Sequence, residues 1–275
     1  SLTQEASDIL PMARLFSREL RGLTRLETAL SARWNGTKVC VVPGDADQDE
    51  HVLHEVGRSA AARLRSFLQS GSTLAVTGGT TIGQVAATLP GGTPMNVMVV
   101  PARGGIGRSL ETQANTIACE IARRLGGHHR MMHLPDLLDE QALNEMRKLK
   151  EIDETLALLE RADVVLHGIG RADEMARKRQ LPPAVEAEVL KRGAVSEAYG
   201  CYFDRNGKMV CSASTVAHDL GKLKPDCAWI AVAAGTGKAE AIDGAMRAKP
   251  HRMLVTDEGA AKAILALPEK ECLHA

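Results

Sequence analysis

The chain of 275 residues has little aromatic material: three Phe, two Trp and two Tyr make up 3% of it. Its core must therefore be built from Ala, Val, Leu, Ile and Met, the usual filling of layered helix and sheet packing. Net charge is also absent, because 34 Lys and Arg balance 34 Asp and Glu. The chain as a whole is not drawn to DNA, RNA or an anionic membrane, so any such attraction must be local. No apolar run reaches the length of about 18 residues that would span a bilayer, and no charged-then-apolar leader opens the chain, so a soluble, cytoplasmic protein is expected. The six cysteines (Cys40, Cys119, Cys201, Cys211, Cys227, Cys272) contain no CxxC pair and have no His at ligand spacing. Idle thiols in a reducing compartment are expected, with neither disulfides nor a metal site.

Several catalytic signatures are missing too. There is no HExxH and no GxSxG elbow. Gly235-Thr-Gly-Lys238 is not a nucleotide P-loop, since Val232 occupies the place of the first glycine and Ala239 that of the Ser or Thr after the lysine. Gly104-Gly-Ile-Gly107 does not match a dinucleotide fingerprint. No cofactor is implied.

What is present is a regular alternation from residue 37 onward. Strands are read at 38–42, 73–77, 95–100, 130–134, 164–170, 198–203, 208–211, 227–233 and 252–256. Helices are read at 51–68, 81–89, 109–125, 138–159 with a break near Lys150, 173–180, 183–192, 238–249 and 258–267. Repeated strand, glycine turn and helix predict an α/β, Rossmann-like fold: a mostly parallel sheet with helices on both faces and its ligand at the carboxyl ends of the strands. Asn206-Gly207 signals a hairpin, and with Pro182-Pro183 it suggests a small inserted subdomain. Residues 1–34 read as a helix carrying Phe16, Leu20, Leu23, Leu26 and Leu30 on one stripe and Arg14, Arg18, Arg21 and Arg25 on another.

The stretch Leu74 to Ala87 is the organising one. A strand runs into Gly78-Gly79-Thr80-Thr81 and on into a helix, whose first amides lack carbonyl partners. Two readings stand, a tight capped turn and a phosphate cradle. Arg103, between an apolar strand and glycines, suits either bidentate anion contact or a structural ion pair. Gln113 is either exposed or within reach of hydroxyl groups, and Glu197 either a surface rim or a sugar-hydroxyl acceptor. Lys238 is either a surface lysine near a cap or a point charge for a phosphate. The basic run Arg177-Lys178-Arg179 is either a solvated helix face or part of the crevice. The histidines, including His167 and His218, show no metal pattern.

The motifs Thr77-Gly-Gly-Thr-Thr81, Pro101-Ala-Arg-Gly-Gly105, Gln113-Ala-Asn-Thr116, His167-Gly-Ile-Gly170, Ser196-Glu-Ala-Tyr-Gly200 and Val255-Thr-Asp-Glu-Gly-Ala-Ala-Lys262 occur in one order over nearly the whole chain. In this it resembles the sugar-binding domains of the SorC family of bacterial transcriptional regulators, and within them most nearly the regulators of glycolytic genes. The resemblance implies a fold related to the sugar-phosphate isomerases, used for sensing and not catalysis. It implies a phosphorylated sugar effector, fructose 1,6-bisphosphate in the glycolytic branch, which weakens operator DNA binding by an N-terminal winged helix-turn-helix. Residues 1–34 would then connect that domain to an effector domain over 35–275, in a homodimer or homotetramer. Carried over residue by residue, Gly79, Thr80 and Thr81 take one phosphate, Arg103, Gln113 and Glu197 stand at the sugar, and Lys238 serves the second phosphate. Lys178 departs from the narrower family, which has arginine there; Arg179 stands beside it. The alternative is a phosphosugar isomerase with Glu197 or Asp257 as base and Lys238 as electrophile.

Overall fold

The computed structural model describes residues 9, 12–13, 16–92, 94–104, 110–135, 140–212 and 223–268. Gly107, His218 and Cys272 lie outside them. Five strands are mostly apolar, because helices cover both faces of the sheet: β1 (Lys38–Val42), β2 (Thr73–Val76), β5 (Val164–Arg171), β9 (Ala228–Val232) and β10 (Met253–Asp257). With β3 (Met98–Pro101) and the two-residue β4 (His128–His129) they form a parallel path in the order β1-β10-β9-β5-β2-β3-β4.

Alternation along each strand sorts side chains to the two faces. Leu74 and Val76 face α2 (Glu50–Leu64), α3 (Thr80–Thr88) and α4 (Ala114–Leu125), packing with Val56, Ile82 and Ile121. Ala75 faces the other side, where α1 (Leu23–Arg33), α9 (Ala239–Ala248) and α10 (Glu258–Ala266) supply Leu23, Leu30, Ile242 and Ile264. Two further helices, α5 (Glu140–Met146) and α6 (Lys150–Glu160), carry the break expected near Lys150. The chain leaves β2 toward α3 on one face and β9 toward α9 on the other, with β5 between them. That divergence opens a crevice at the carboxyl ends of the strands.

Beyond its parallel pairings β5 continues, and Ile169, Gly170 and Arg171 pair antiparallel with β6 (Ala194–Ala198). Strands β7 (Cys201–Asp204) and β8 (Met209–Ser212) complete an antiparallel extension. Two short helices, α7 (Ala172–Lys178) and α8 (Pro183–Lys191), bridge β5 to β6. The expected hairpin at 204–207 is present, with Asp204 Oδ1 accepting from the amides of Asn206 and Lys208.

Three local expectations need correction. The segment read as one strand over 198–203 is a hairpin between β6 and β7, because Tyr199 and Gly200 both take positive φ (43° and 94°), the pattern of a two-residue turn that matches strand twist. The strand expected at 130–134 is replaced by β4, two residues earlier. The single helix expected over 1–34 is interrupted at Arg21-Gly22, where Gly22 is left-handed (φ 67°). Its apolar stripe consequently divides. Leu23 and Leu30 are fully buried, whereas Phe16 and Leu20 are 66% and 72% exposed. Arg18, from the expected arginine stripe, turns onto the sheet edge: its Nη1 donates to the Val41 carbonyl, and the Val41 amide donates to Glu27 Oε1. Side chains thus satisfy backbone groups that an edge strand would leave open.

Candidate functional site

A cavity of about 540 Å³ opens where β2, β5 and β9 end. Its floor is the glycine turn before α3. Gly79 adopts φ 116°, ψ 158°, a region open essentially to glycine alone, and no side chain caps the helix start. The Gly79 amide is spent on the Thr112 carbonyl at 2.8 Å. The first amides of α3, from Thr80 onward, lie at a helix N-terminus and face the cavity with its positive end. Gly78 is needed for a different reason, since a Cβ there would stand 2.6 Å from the Thr112 oxygen.

One wall is a buried ionic triad. Arg179 Nη2 lies 2.6 Å and Arg103 Nη1 3.3 Å from Glu197 Oε1, which also accepts from the Gly200 amide at 2.6 Å. All three side chains are at most 5% exposed. Burial pushes the Glu197 carboxyl up, while the Arg103 charge and the Gly200 amide pull it the other way. Both guanidiniums therefore share one carboxylate oxygen. Pairing of β6 with the overrun of β5 sets Glu197 opposite Gly170, and the turn at Tyr199-Gly200 that follows β6 brings the Gly200 amide onto its carboxylate.

The cavity is also lined by Lys238, at the start of α9, and by the exposed Lys178. Among the described residues neither ammonium has a carboxylate within 4.0 Å. Burial lowers the Lys238 pKa; the charge of Glu174 opposes this and that of Lys178 adds to it. The cavity therefore holds Arg103, Lys178, Arg179 and Lys238 against Glu174 and Glu197.

Gly79, Thr80, Thr81, Arg103, Lys178, Arg179, Glu197 and Lys238, all singled out in the sequence, line this cavity together. Gln113 is placed differently: it is the residue before α4, between the lining residues Thr112 and Ala114, and is not itself a lining residue. The turn at Gly235 also contributes less than its glycines suggest. The amides of Gly235, Thr236 and Gly237 donate to Asp257, Asp45 and Asp47, respectively. Only the Lys238 side chain is left to meet a ligand. The basic run divides, with Arg177 exposed on Asp173, Lys178 at the mouth and Arg179 buried in the triad.

Glu174, Met175, Tyr199 and Thr77 also line the cavity. Glu174 follows the glycine-bearing end of β5 by four residues, a signal the sequence did offer. Behind Tyr199 lies a buried aromatic group. His167 contacts the Tyr199 and Trp229 rings edge-on, and His167 Nε2 lies 2.9 Å from His251 Nε2. Burial drives both imidazoles toward the neutral form, to about 4 for His167 and about 3 for His251. Among the described residues no three His, Cys, Asp or Glu gather as a metal site, and no helix is long and apolar enough to cross a membrane.

Comparison with known proteins places this geometry in context. The Sugar-bind family, a sugar-binding domain, matches residues 18–266. The central glycolytic genes regulator of Priestia megaterium is 39% identical over 268 residues, which is 96% of this chain and 78% of that protein. The regulator of the same name from Bacillus subtilis is 36% identical over 266 residues, with the same coverage. Among solved structures, a SorC family transcriptional regulator from Enterococcus faecalis superposes with a TM-score of 0.81 at 33% identity, covering 88% of this chain and 99% of that one.

Proposed function

Given that the chain belongs to the Sugar-bind family of SorC-type transcriptional regulators, we propose that it is the effector-sensing domain of a repressor of glycolytic genes and binds a phosphorylated sugar without turnover. The observation that carries the reading is that the uncapped helix start at Gly79 and the side chains of Arg103, Arg179, Lys178 and Lys238 line one cavity, with Glu174 and Glu197 its only carboxylates among the described lining residues. One phosphate docks on the Thr80 and Thr81 amides and hydroxyls. The Arg103-Glu197-Arg179 triad faces the sugar hydroxyls, and Lys238 with Lys178 meets a second phosphate. Fructose 1,6-bisphosphate, with a phosphate at each end, suits both poles. A volume of about 540 Å³ is ample for it.

Binding alters operator affinity in an N-terminal DNA-binding domain only in so far as the effector prefers one conformational or oligomeric state over another. A homodimer or homotetramer with α1 near its junction provides such states.

The isomerase alternative requires a carboxylate free to take a proton. Asp257 is buried and accepts from the amides of Ala46, Gly235 and Ala260, and it does not line the cavity. Glu197 is held by two guanidiniums. Both observations support binding over turnover. Calorimetric titration with fructose 1,6-bisphosphate, glucose 6-phosphate and dihydroxyacetone phosphate, each also incubated in deuterated buffer, tests the reading. Saturable binding without deuterium uptake is the expected result. No rise in melting temperature with any of them would refute effector binding, because a ligand of the folded state alone must raise it. Deuterium incorporation would refute pure sensing.

A further inference from the structure

At the other end of the sheet, where the strands begin, lies a second hollow of about 500 Å³. Among the described residues lining it, five are cationic (Arg33, Lys38, Arg247, Lys249 and Arg252) and none is a carboxylate. Two of the five are explained by the fold. Arg33 and Arg247 stand in the last turns of α1 and α9, where cations suit the carbonyl end. Both donate to Asp243, Arg33 through a two-pronged contact of 2.9 Å on each oxygen, and Asp243 also accepts from Trp34 Nε1 at 3.0 Å. That carboxylate is saturated.

Lys38, Lys249 and Arg252 are not explained in this way. Among the described residues none of them has a carboxylate within 4.0 Å. The Lys249 ammonium sits 3.7 Å from the centre of the Trp229 ring, and burial lowers its pKa. Lys38 opens β1 and Arg252 immediately precedes the adjacent β10; the two are linked through backbone, the Lys38 amide donating to the Arg252 carbonyl. The chain carries equal numbers of acidic and basic residues, so three cations around one concavity with no carboxylate partner among the described residues are a local concentration and no reflection of composition. Their mutual repulsion is relieved when an anion enters.

The geometry points to a second anion site at the amino ends of the strands, taking a small molecule with two or more phosphate groups and separate from the crevice at the carboxyl ends. A single concavity favours a compact ligand over a nucleic-acid backbone, which tracks an extended groove or stripe of charge. Asn35 in the wall offers an amide that a phosphate oxygen can use.

Of the two tryptophans of the chain, Trp34 lines this hollow and Trp229 lies against the lining residue Lys249, so intrinsic fluorescence reports on it. The experiment titrates inorganic pyrophosphate into the wild type, a Lys38→Gln/Arg252→Gln double variant and Lys178→Gln. The two residues of the double variant are exposed, so the fold and the Lys249–Trp229 reporter remain. Lys249→Gln, followed by calorimetry, is the second test of the same site. The expected result is a saturable signal in the wild type, weakened at least tenfold (about 1.4 kcal/mol) in the double variant and in Lys249→Gln and retained in Lys178→Gln. No saturable change at millimolar pyrophosphate, an equal response in the double variant, or loss only in Lys178→Gln would overturn the site. A short DNA duplex that binds more tightly than pyrophosphate and is weakened by the double variant would overturn the small-molecule reading.

Discussion

Lys238→Gln is expected to strengthen the ligand-free protein while weakening its grip on a phosphorylated sugar. The ammonium is partly buried at the start of α9, with no carboxylate within 4.0 Å among the described residues and with Lys178 adding repulsion. Removing it relieves a desolvated charge, so the ligand-free fold should gain up to about 1 kcal/mol, a rise of roughly 2 °C in melting temperature. In the complex the same ammonium makes a charge-assisted hydrogen bond to phosphate, of about 1.5–3 kcal/mol. Its loss should raise Kd by about 10- to 150-fold.

The pH dependence follows from the direction of the shift. The folded protein holds Lys238 below its ordinary value of 10.5, so between the two values the unfolded chain binds more protons. Stability of the ligand-free wild type should therefore rise with pH across that interval, and Lys238→Gln should remove this component. Differential scanning calorimetry and isothermal titration with fructose 1,6-bisphosphate measure both quantities. A variant with a lower melting temperature and a Kd within about twofold of the wild type would refute the placement of Lys238 as a binding group.

Other perturbations probe the same structure. Glu197→Gln removes the carboxylate that two buried guanidiniums share and should destabilise the fold by about 3 kcal/mol in urea denaturation; an unchanged midpoint would show that the triad is electrostatically unimportant. Gly79→Ala has open space around its new methyl group but a disfavoured backbone, so it should cost about 1–3 kcal/mol and also disturb the phosphate turn. His167 and His251 titrate well below the ordinary 6.5, so below pH 6.5 the unfolded chain takes up protons that the folded one refuses. Stability should fall from pH 6.5 toward about 4 with a slope of up to about 2.7 kcal/mol per pH unit from the pair. His251→Gln should roughly halve this slope in chemical denaturation followed against pH.

The β6–β7 hairpin shows where linear reading stops. Residues 198–203 look like one apolar strand because Tyr199 is as acceptable in a strand as in its turn. Gly200 was the available clue, but the positive φ of Tyr199 is imposed by packing of its ring among His167, Trp229 and Phe203. The basic run 177–179 was ambiguous for a related reason. Successive helical side chains point about 100° apart, so one run supplies a solvated arginine, a mouth lysine and a buried guanidinium. Which is which depends on what lies beneath the helix.

By itself the sequence determined the alternation of strands and helices, the glycine turn at Gly78-Gly79 that frees the start of α3, and the set of residue types able to hold an anion. These are local properties, set by side-chain periodicity and by backbone conformations open only to glycine. The tertiary structure alone decided that Arg103 and Arg179 share Glu197, 94 and 18 residues away, that the amides at Gly235 are consumed by aspartates, and that Lys238 and the Gly79 turn line one cavity. Charges interact through space and not along the chain, and strand order, which no local pattern encodes, sets the distances between them.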